Sequence, residues 1–548
     1  MRRLTISLVL MLSFYSLLVR GAESLSSVSA ELRGRVNEKG KVVRGLGYEG
    51  GEGYKVRGVE RFVFRGLEFV EIYGVNRAEL LRYWEGYIGQ EISTDELLKI
   101  LNKIKGHYVE KGYIAAQVEL PNQRIGKSGI VKVVIHIGYI EDIEVVYKGG
   151  VRKNVWLERY VGKFKRGGLF NIKEVERKLV LLKQEPGMEI RPMLLQGSKK
   201  GSSRLVLYVG KNERLSIGLG YDNRGSHYLG PHRVYSDIIL NNVIGRSKTL
   251  ITGLVTTDVD ELKFIRLKRT QLLGGDGLRG YGEVVYAKSH PSKELKFLGQ
   301  ESEMWMLNGM MMYPLYQRRD EVLKIRGGLD IHRGNAKGLR ANLFNDRITS
   351  LRVGMLYNKV YDSFYWEVSG ILSQGLKIFY APGQGMASRA HGKCDYTKGE
   401  VHLRGSKYVS RRVSFYGLLD GQYSGDVLLV SEEVGYGGGR IGKGYNTSEI
   451  TGDKGIGGLL GFQYRLESMV RYLHETNYYL NVDGGKVWNN SASSMRSEEL
   501  SSIACGVRML FKKGLTVNLE IAQPVYRYPD IRVSKSLRAF AMIYWQIK

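Results

Sequence analysis

The 548-residue sequence predicts a mainly β protein: a transmembrane antiparallel barrel of about sixteen strands preceded by two small α+β modules. Three observations carry this. Apolar and polar residues alternate with period 2 from residue 212 onward, with no convincing helical period. A β-α-α-β-β order occurs twice ahead of that region. Composition agrees: 70 Gly and 36 Tyr but only 9 Pro, which suits closely crossing strands with tyrosine available for interfacial girdles.

At the start, Arg2 and Arg3 precede an apolar run from Leu4 to Leu18, then Val19-Arg20-Gly21-Ala22. That pattern is a secretory signal peptide over residues 1–22. The run falls short of the ~20 residues a membrane-spanning helix needs. No later run is as apolar, so the mature chain is expected to be a barrel or soluble outside the cytoplasm. Residues 23–58 are polar and dotted with glycine, and Leu25, Val28, Leu32 and Val36 suggest a short plug helix before a flexible linker.

The first module is expected over residues 59–139. Phe62, Phe64 and Leu67-Glu68-Phe69 read as strand, and Ala78 to Leu81 with Trp84 as a short helix. Ser93-Thr94-Asp95-Glu96 is a capping box opening a helix with Leu97, Leu98, Leu101, Ile104 and Tyr108 on one face, stopped by Gly112. Strands Tyr113–Leu120 and Gly129–Ile137 complete it. The second module, residues 140–211, repeats the order: strand Ile143–Tyr147, helix Val155–Val161, a helix opened by Asn171, and strands Met188–Leu195 and Arg204–Val209.

The barrel is expected over residues 212–548. Leu215, Ile217, Leu219 and Tyr221 alternate with Ser216, Gly218 and Gly220; Tyr478, Leu480 and Val482 alternate with Tyr479, Asn481 and Asp483. Leu515, Val517, Leu519 and Ile521 alternate with Thr516, Asn518 and Glu520. Period alone does not separate a lipid-facing from a core-facing apolar side. Two features favour lipid outside and water inside. The apolar faces often end in Tyr or Trp, and the region's length at about 20 residues per strand and connection gives an even, porin-like number. A soluble barrel of that size would leave its interior unfilled.

Other classes find little support. The net charge is +28, but the cations are spread along the chain without a nucleic-acid-binding signature. Cys394 and Cys505 have no metal-ligand spacing; one disulfide or two free thiols are both compatible with them. Gly437-x-Gly439-x-x-Gly442 has no βαβ unit around it, and Gly126-Lys127-Ser128 lacks the first glycine of a phosphate loop. No metal spacing or nucleophile–base pattern occurs, so neither enzyme activity nor a cofactor is expected.

Several segments resemble one family. Phe64-Arg65-Gly66-Leu67-Glu68-Phe69, Tyr108-Val109-Glu110-Lys111-Gly112-Tyr113-Ile114-Ala115 and Leu120-Pro121 are similar to the first POTRA (polypeptide-transport-associated) module of two-partner secretion exporters. Gly220-Tyr221-Asp222-Asn223-Arg224-Gly225-Ser226 resembles their first barrel strand. Gly438-Gly439-Arg440-Ile441-Gly442-Lys443-Gly444-Tyr445, continuing to Ser448-Glu449-Ile450-Thr451-Gly452-Asp453-Lys454-Gly455, resembles the long inward-folded loop of the haemolysin-activator and haemagglutinin exporters. Val482-Asp483-Gly484-Gly485 is similar to the strand whose aspartate meets that loop.

The resemblance implies a sixteen-stranded outer-membrane translocator with periplasmic POTRA modules that receive an unfolded, adhesin- or cytolysin-like partner. It also implies contact with outer-membrane lipids and, for insertion, with the barrel-assembly machinery. A loop over residues 437–456 is expected to hold or gate the pore through Lys443, Gly444, Tyr445, Asp453 and Asp483, with Lys443 meeting Asp483. Lysine stands at 443 where the family implies arginine, and the end Tyr544-Trp545-Gln546-Ile547-Lys548 departs from the family's terminal aromatic. Ala115, Gln117 and Glu119 are the candidates for partner binding by strand augmentation. Alternatives are a barrel-assembly factor, which usually carries more POTRA repeats, and a diffusion porin, which carries none.

Overall fold

A computed structural model describes residues 61–547 apart from 71–74, 114–115, 122, 124, 126–127, 150, 152, 163, 165–170, 199–201, 257–260, 340, 379–386, 468–469, 491–496 and 530–535. The expected signal peptide, plug helix and linker lie outside the described residues. The described chain forms two units, divided between Asn212 and Glu213.

In the first unit, both modules share one sheet topology. Gly66–Phe69 runs parallel to Ile130–His136, which pairs antiparallel with Gln117–Glu119. Likewise Tyr139–Tyr147 runs parallel to Ser202–Asn212, which pairs antiparallel with Met188–Gln196. Each sheet carries two helices, Arg77–Leu81 with Thr94–Lys111, then Val155–Val161 with Ile172–Lys183.

The long helix shows why this sequence folds here. Ser93 accepts from the Glu96 N–H while Glu96 accepts from the Ser93 N–H, so the capping box closes in both directions. These hydrogen bonds hold the exposed Glu96 carboxyl below the usual carboxylate range. Gly112, at φ 105°, supplies the left-handed C-terminal stop. Leu97, Ile100, Leu101, Ile104 and Tyr108 are buried against Val118, Val131, Val133 and Ile135. Each such aliphatic side chain contributes roughly 1.5–3 kcal/mol of transfer free energy. Burial also pushes the Tyr108 hydroxyl up to about 12. The strand before the last is shorter than the sequence suggests: Gln117–Glu119 rather than Tyr113–Leu120. The Tyr113 N–H still bonds the helical Tyr108 carbonyl at 2.9 Å, so the chain leaves the helix before it becomes extended.

The second unit is a closed barrel of sixteen antiparallel strands. The first, Leu215–Asp222, pairs with the sixteenth, Arg538–Ile547, and closure removes every sheet edge. Strand length varies from 8 residues in the first to 20 in the eighth, Ala341–Val360. Alternation decides the faces. On the thirteenth strand, Leu473–Trp488, Tyr478, Leu480 and Val482 are exposed outward while Tyr479, Asn481 and Asp483 are buried inward. Cys394 and Cys505 are both free thiols. The eleventh strand (Val413–Ser424) and twelfth strand (Lys454–Glu467) are neighbours in the wall, yet the 425–453 connection between them is long and folds inward.

Candidate functional site: a loop fastened across the lumen

The connection first makes a tight turn, Val430–Glu432, and then a hairpin of Val434–Tyr436 with Ile450–Gly452. The tip between the hairpin strands needs glycine. Gly442 sits at φ +81°, and a Cβ there would meet Gly437 Cα at 2.8 Å. The hairpin presses on the inner wall through Tyr436, whose ring covers Gly457 of the twelfth strand and Gly485 of the thirteenth. A Cβ at either glycine would lie 2.5–2.6 Å from that ring.

At the tip, Asp483 accepts from the Gly442 N–H at 2.6 Å and from the Ser502 hydroxyl at 2.6 Å, with the Lys443 N–H at 3.5 Å. Ser502, on the fourteenth strand (Ser497–Phe511), accepts in turn from the Gly444 N–H at 3.2 Å. Gly444 lies against the fifteenth strand (Leu515–Tyr528), where a Cβ would reach Pro524 N at 2.7 Å. The Tyr445 hydroxyl donates to the Tyr526 carbonyl at 2.7 Å. Arg538 reaches the Gly444 carbonyl and the Asn446 side chain.

Lys443 and Asp483 thus come together, but not as side-chain partners. The Lys443 ammonium turns to Glu520, 2.9 Å away on the fifteenth strand. Glu520 also takes the Tyr479 hydroxyl at 2.9 Å and pairs with Arg224. The expected ammonium–carboxylate contact is therefore corrected. Asp483 is already occupied by main-chain and hydroxyl donors, and Glu520 is the carboxylate that the flexible lysine stem reaches. The tip does not include Asp453, which fastens the loop's far end. It holds Arg389 at 2.6 Å and accepts from the Leu428 and Asn490 N–H groups, both at 2.7 Å.

The incoming leg is fastened elsewhere. Glu432 is 1 % exposed and meets Lys398 Nζ at 2.5 Å and Arg352 Nη2 at 3.1 Å. Arg352 also pairs with Asp330, which Asn308 contacts. Lys398 and Gln422 donate to the Glu432 carbonyl at 3.1 and 3.0 Å. Beside it, Val430 packs among Leu254, Phe264, Val285, Met306 and Phe344, inward residues of the third to eighth strands. The loop therefore crosses the lumen, with its leg on one wall and its tip on the other. Sequence reading missed Glu432, Arg352, Lys398, Arg389 and Ser502. Glu520 and Arg352 carried a signal, because alternation places them inward, between Leu519 and Ile521 and between Leu351 and Val353.

In the first module, Gln117–Glu119 edges its sheet among the described residues. Ala115 lies outside the described residues. Glu119 is half-buried beside His136 Nε2 at 3.5 Å.

Comparison with known proteins fits this geometry. A model of the haemolysin secretion/activation protein family ShlB/FhaC/HecB matches residues 308–509, and one of the POTRA domain, ShlB-type, matches residues 62–138. The heme/hemopexin transporter protein HuxB of Haemophilus influenzae is 21 % identical over 457 residues, covering 82 % of this chain and 80 % of that protein. The outer membrane transporter CdiB of Dickeya dadantii is 18 % identical, covering 86 % and 84 %. Among solved structures, CdiB from Escherichia coli superposes with a TM-score of 0.74 at 15 % identity, covering 95 % of this chain and 98 % of that one. CdiB from Acinetobacter baumannii gives 0.63 at 15 % identity, covering 94 % and 98 %. Barrel, lumenal loop and POTRA module define an outer-membrane translocator of two-partner secretion, with its POTRA domain in the periplasm. Over residues 308–509 the chain matches the haemolysin secretion/activation family of these transporters.

Proposed function

We propose that the barrel conducts one secreted partner protein in an unfolded state, and that the 425–453 loop gates its passage. The observation that carries this is the loop's double fastening, Glu432 on one wall and the Gly442–Tyr445 tip on the other. A loop lying across the lumen must release at least one end before a chain can pass, and a diffusion porin has no use for such a bolt. In this reading Lys443, Gly444, Tyr445 and Asp483 hold the tip and Asp453 holds the base.

The strand Gln117–Glu119 lies at the edge of its sheet, where an extended partner segment can add alongside it, the arrangement that strand augmentation uses. Ala115, Gln117 and Glu119 are its proposed contacts. The partner is a secreted protein, a reading supported by the likeness to the transporters HuxB and CdiB, and folding outside the cell would give transport its direction without nucleotide. The outer wall meets outer-membrane lipid, and insertion falls to the barrel-assembly machinery.

The test is a strain lacking this chain, its culture medium assayed for loss of a secreted protein, first of all any large one found to be encoded beside it. Loss of that protein from the medium, restored by the intact chain, is expected. Undiminished secretion from the deletion strain overturns the proposal.

A further inference from the structure

The barrel end with the short turns carries an arc of cations that the loop does not use. Arg411 and Arg412 lie in the turn before the eleventh strand, Arg471 in the turn before the thirteenth, and Lys512 and Lys513 in the turn before the fifteenth; all five are exposed. Hydrogen bonds join the arc into one surface. The Arg465 N–H meets the Arg412 carbonyl at 2.7 Å, and the Lys512 N–H meets the Tyr472 carbonyl at 2.8 Å. The Trp545 indole N–H donates to the Lys513 carbonyl at 3.2 Å.

Large apolar side chains interleave with these cations. Val409 is 64 % exposed, Val470 61 %, Tyr472 63 % and Trp545 47 %. Arg471 lies over the Tyr472 ring at 5.6 Å. Arg465, within the arc, is taken up by Glu475 at 2.9 Å and Glu467 at 3.6 Å. Among the described residues none of the five outer cations has an ion-pair partner. The opposite end differs, with Lys288–Glu301, Lys377–Asp395, Lys393–Asp426 and Lys486–Glu499 at 2.5–3.0 Å. A cation spent on a neighbouring carboxylate has little left for a ligand, whereas the five cations of the short-turn arc keep their charge for something outside the chain.

Exposed Val, Tyr and Trp where the apolar wall ends mark the level of lipid headgroups. Cations interleaved at that level face phosphate, and each one near an anionic lipid surface strengthens binding about fivefold. Short turns are the periplasmic ends of such barrels. We propose that this arc docks anionic glycerophospholipid headgroups of the periplasmic leaflet. Arg411, Arg412, Arg471, Lys512 and Lys513 take the phosphates, while Val409, Val470, Tyr472 and Trp545 enter the acyl boundary. The inference rests on the barrel's seat in the outer membrane and not on gating.

Native mass spectrometry of the full-length protein in detergent, titrated with phosphatidylglycerol or phosphatidylcholine of the same acyl chains, tests it. The wild type retains phosphatidylglycerol preferentially, and raised salt erodes the preference. The variant R411S/R412S/R471S/K512S/K513S, shown folded by heat-modifiable gel mobility, loses at least about tenfold of that preference. A K288S/K486S variant at the other end keeps it. Equal retention of both lipids by the wild type, or an unchanged preference in the folded five-site variant, overturns the proposal. Partner export is not measured, so failure of the gating account leaves this result standing.

Discussion

The two ends of the lumenal loop are held by different chemistry. At the tip, the decisive donors are main-chain N–H groups of Gly442 and Gly444, received by Asp483 and Ser502. At the leg, Glu432 is held by side-chain charges, Lys398 and Arg352, with hardly any solvent access. A main-chain contact tolerates exchange of the loop's side chains but depends on its conformation, so the tip rests on shape with the Lys443–Glu520 pair added to it. A buried ion cluster depends on every member, because an unpaired charge left inside is expensive. The tip is accordingly the end suited to release, and the leg the end suited to stay.

The largest effect is expected from breaking the leg. Glu432→Ala leaves Arg352 and Lys398 without their main partner and costs roughly 3–5 kcal/mol of loop docking or barrel stability. It should appear as a lower unfolding midpoint and a much higher open probability in planar bilayers. Asp483→Ala removes the acceptor for Gly442 N–H and the Ser502 hydroxyl and costs about 2–3 kcal/mol. Bilayer recordings should show more frequent opening, with stability less affected than in Glu432→Ala.

A charge swap sharpens the comparison. K443E/E520K should recover part of the function lost in either single variant, because those two side chains meet at 2.9 Å. K443D/D483K should recover none, since Asp483 serves the backbone. Recovery by the second pair would mean that the ammonium, rather than the loop's main chain, is what the tip aspartate holds.

The smallest expected effect lies in the first module. Hydrogen bonds from Ser93 depress the Glu96 pKa in the folded state, so the capping box contributes fully above the ordinary value of 4.5. The contribution fades as pH falls through the depressed folded value. Amide exchange in the Thr94–Lys111 helix should quicken below that range, and Glu96→Gln should remove the pH dependence while leaving the helix in place.

Much of the architecture was legible because it rests on local periods. Alternation placed Tyr478, Leu480 and Val482 outside and Tyr479, Asn481 and Asp483 inside, and Ser93 to Glu96 announced the long helix. Length gave about sixteen strands, and closure gave that number. The site was only half legible. Parity puts both Asp483 and Glu520 inward, but it does not say which carboxylate a lysine folded in from 425–453 will reach. Glu432 left no trace at all. Its partners are 34 and 80 residues away, and nothing in Ser431-Glu432-Glu433 distinguishes a buried ion from a solvated loop. The strand Tyr113–Leu120 was overextended because the apolar run Tyr113-Ile114-Ala115-Ala116 leads straight into it, although the Tyr108 carbonyl still holds the chain at Tyr113.

The most direct test fixes the tip in place. In a chain with Cys394 and Cys505 replaced by serine, cysteines at 443 and 520 joined by a short bifunctional thiol reagent that spans the former ion pair would pin the loop to the fifteenth strand. Partner secretion should fall to background when a reducible cross-linker is in place and return when it is cleaved. Secretion continuing unchanged with the tip cross-linked would show that the partner passes without the loop leaving the wall, and would contradict the account.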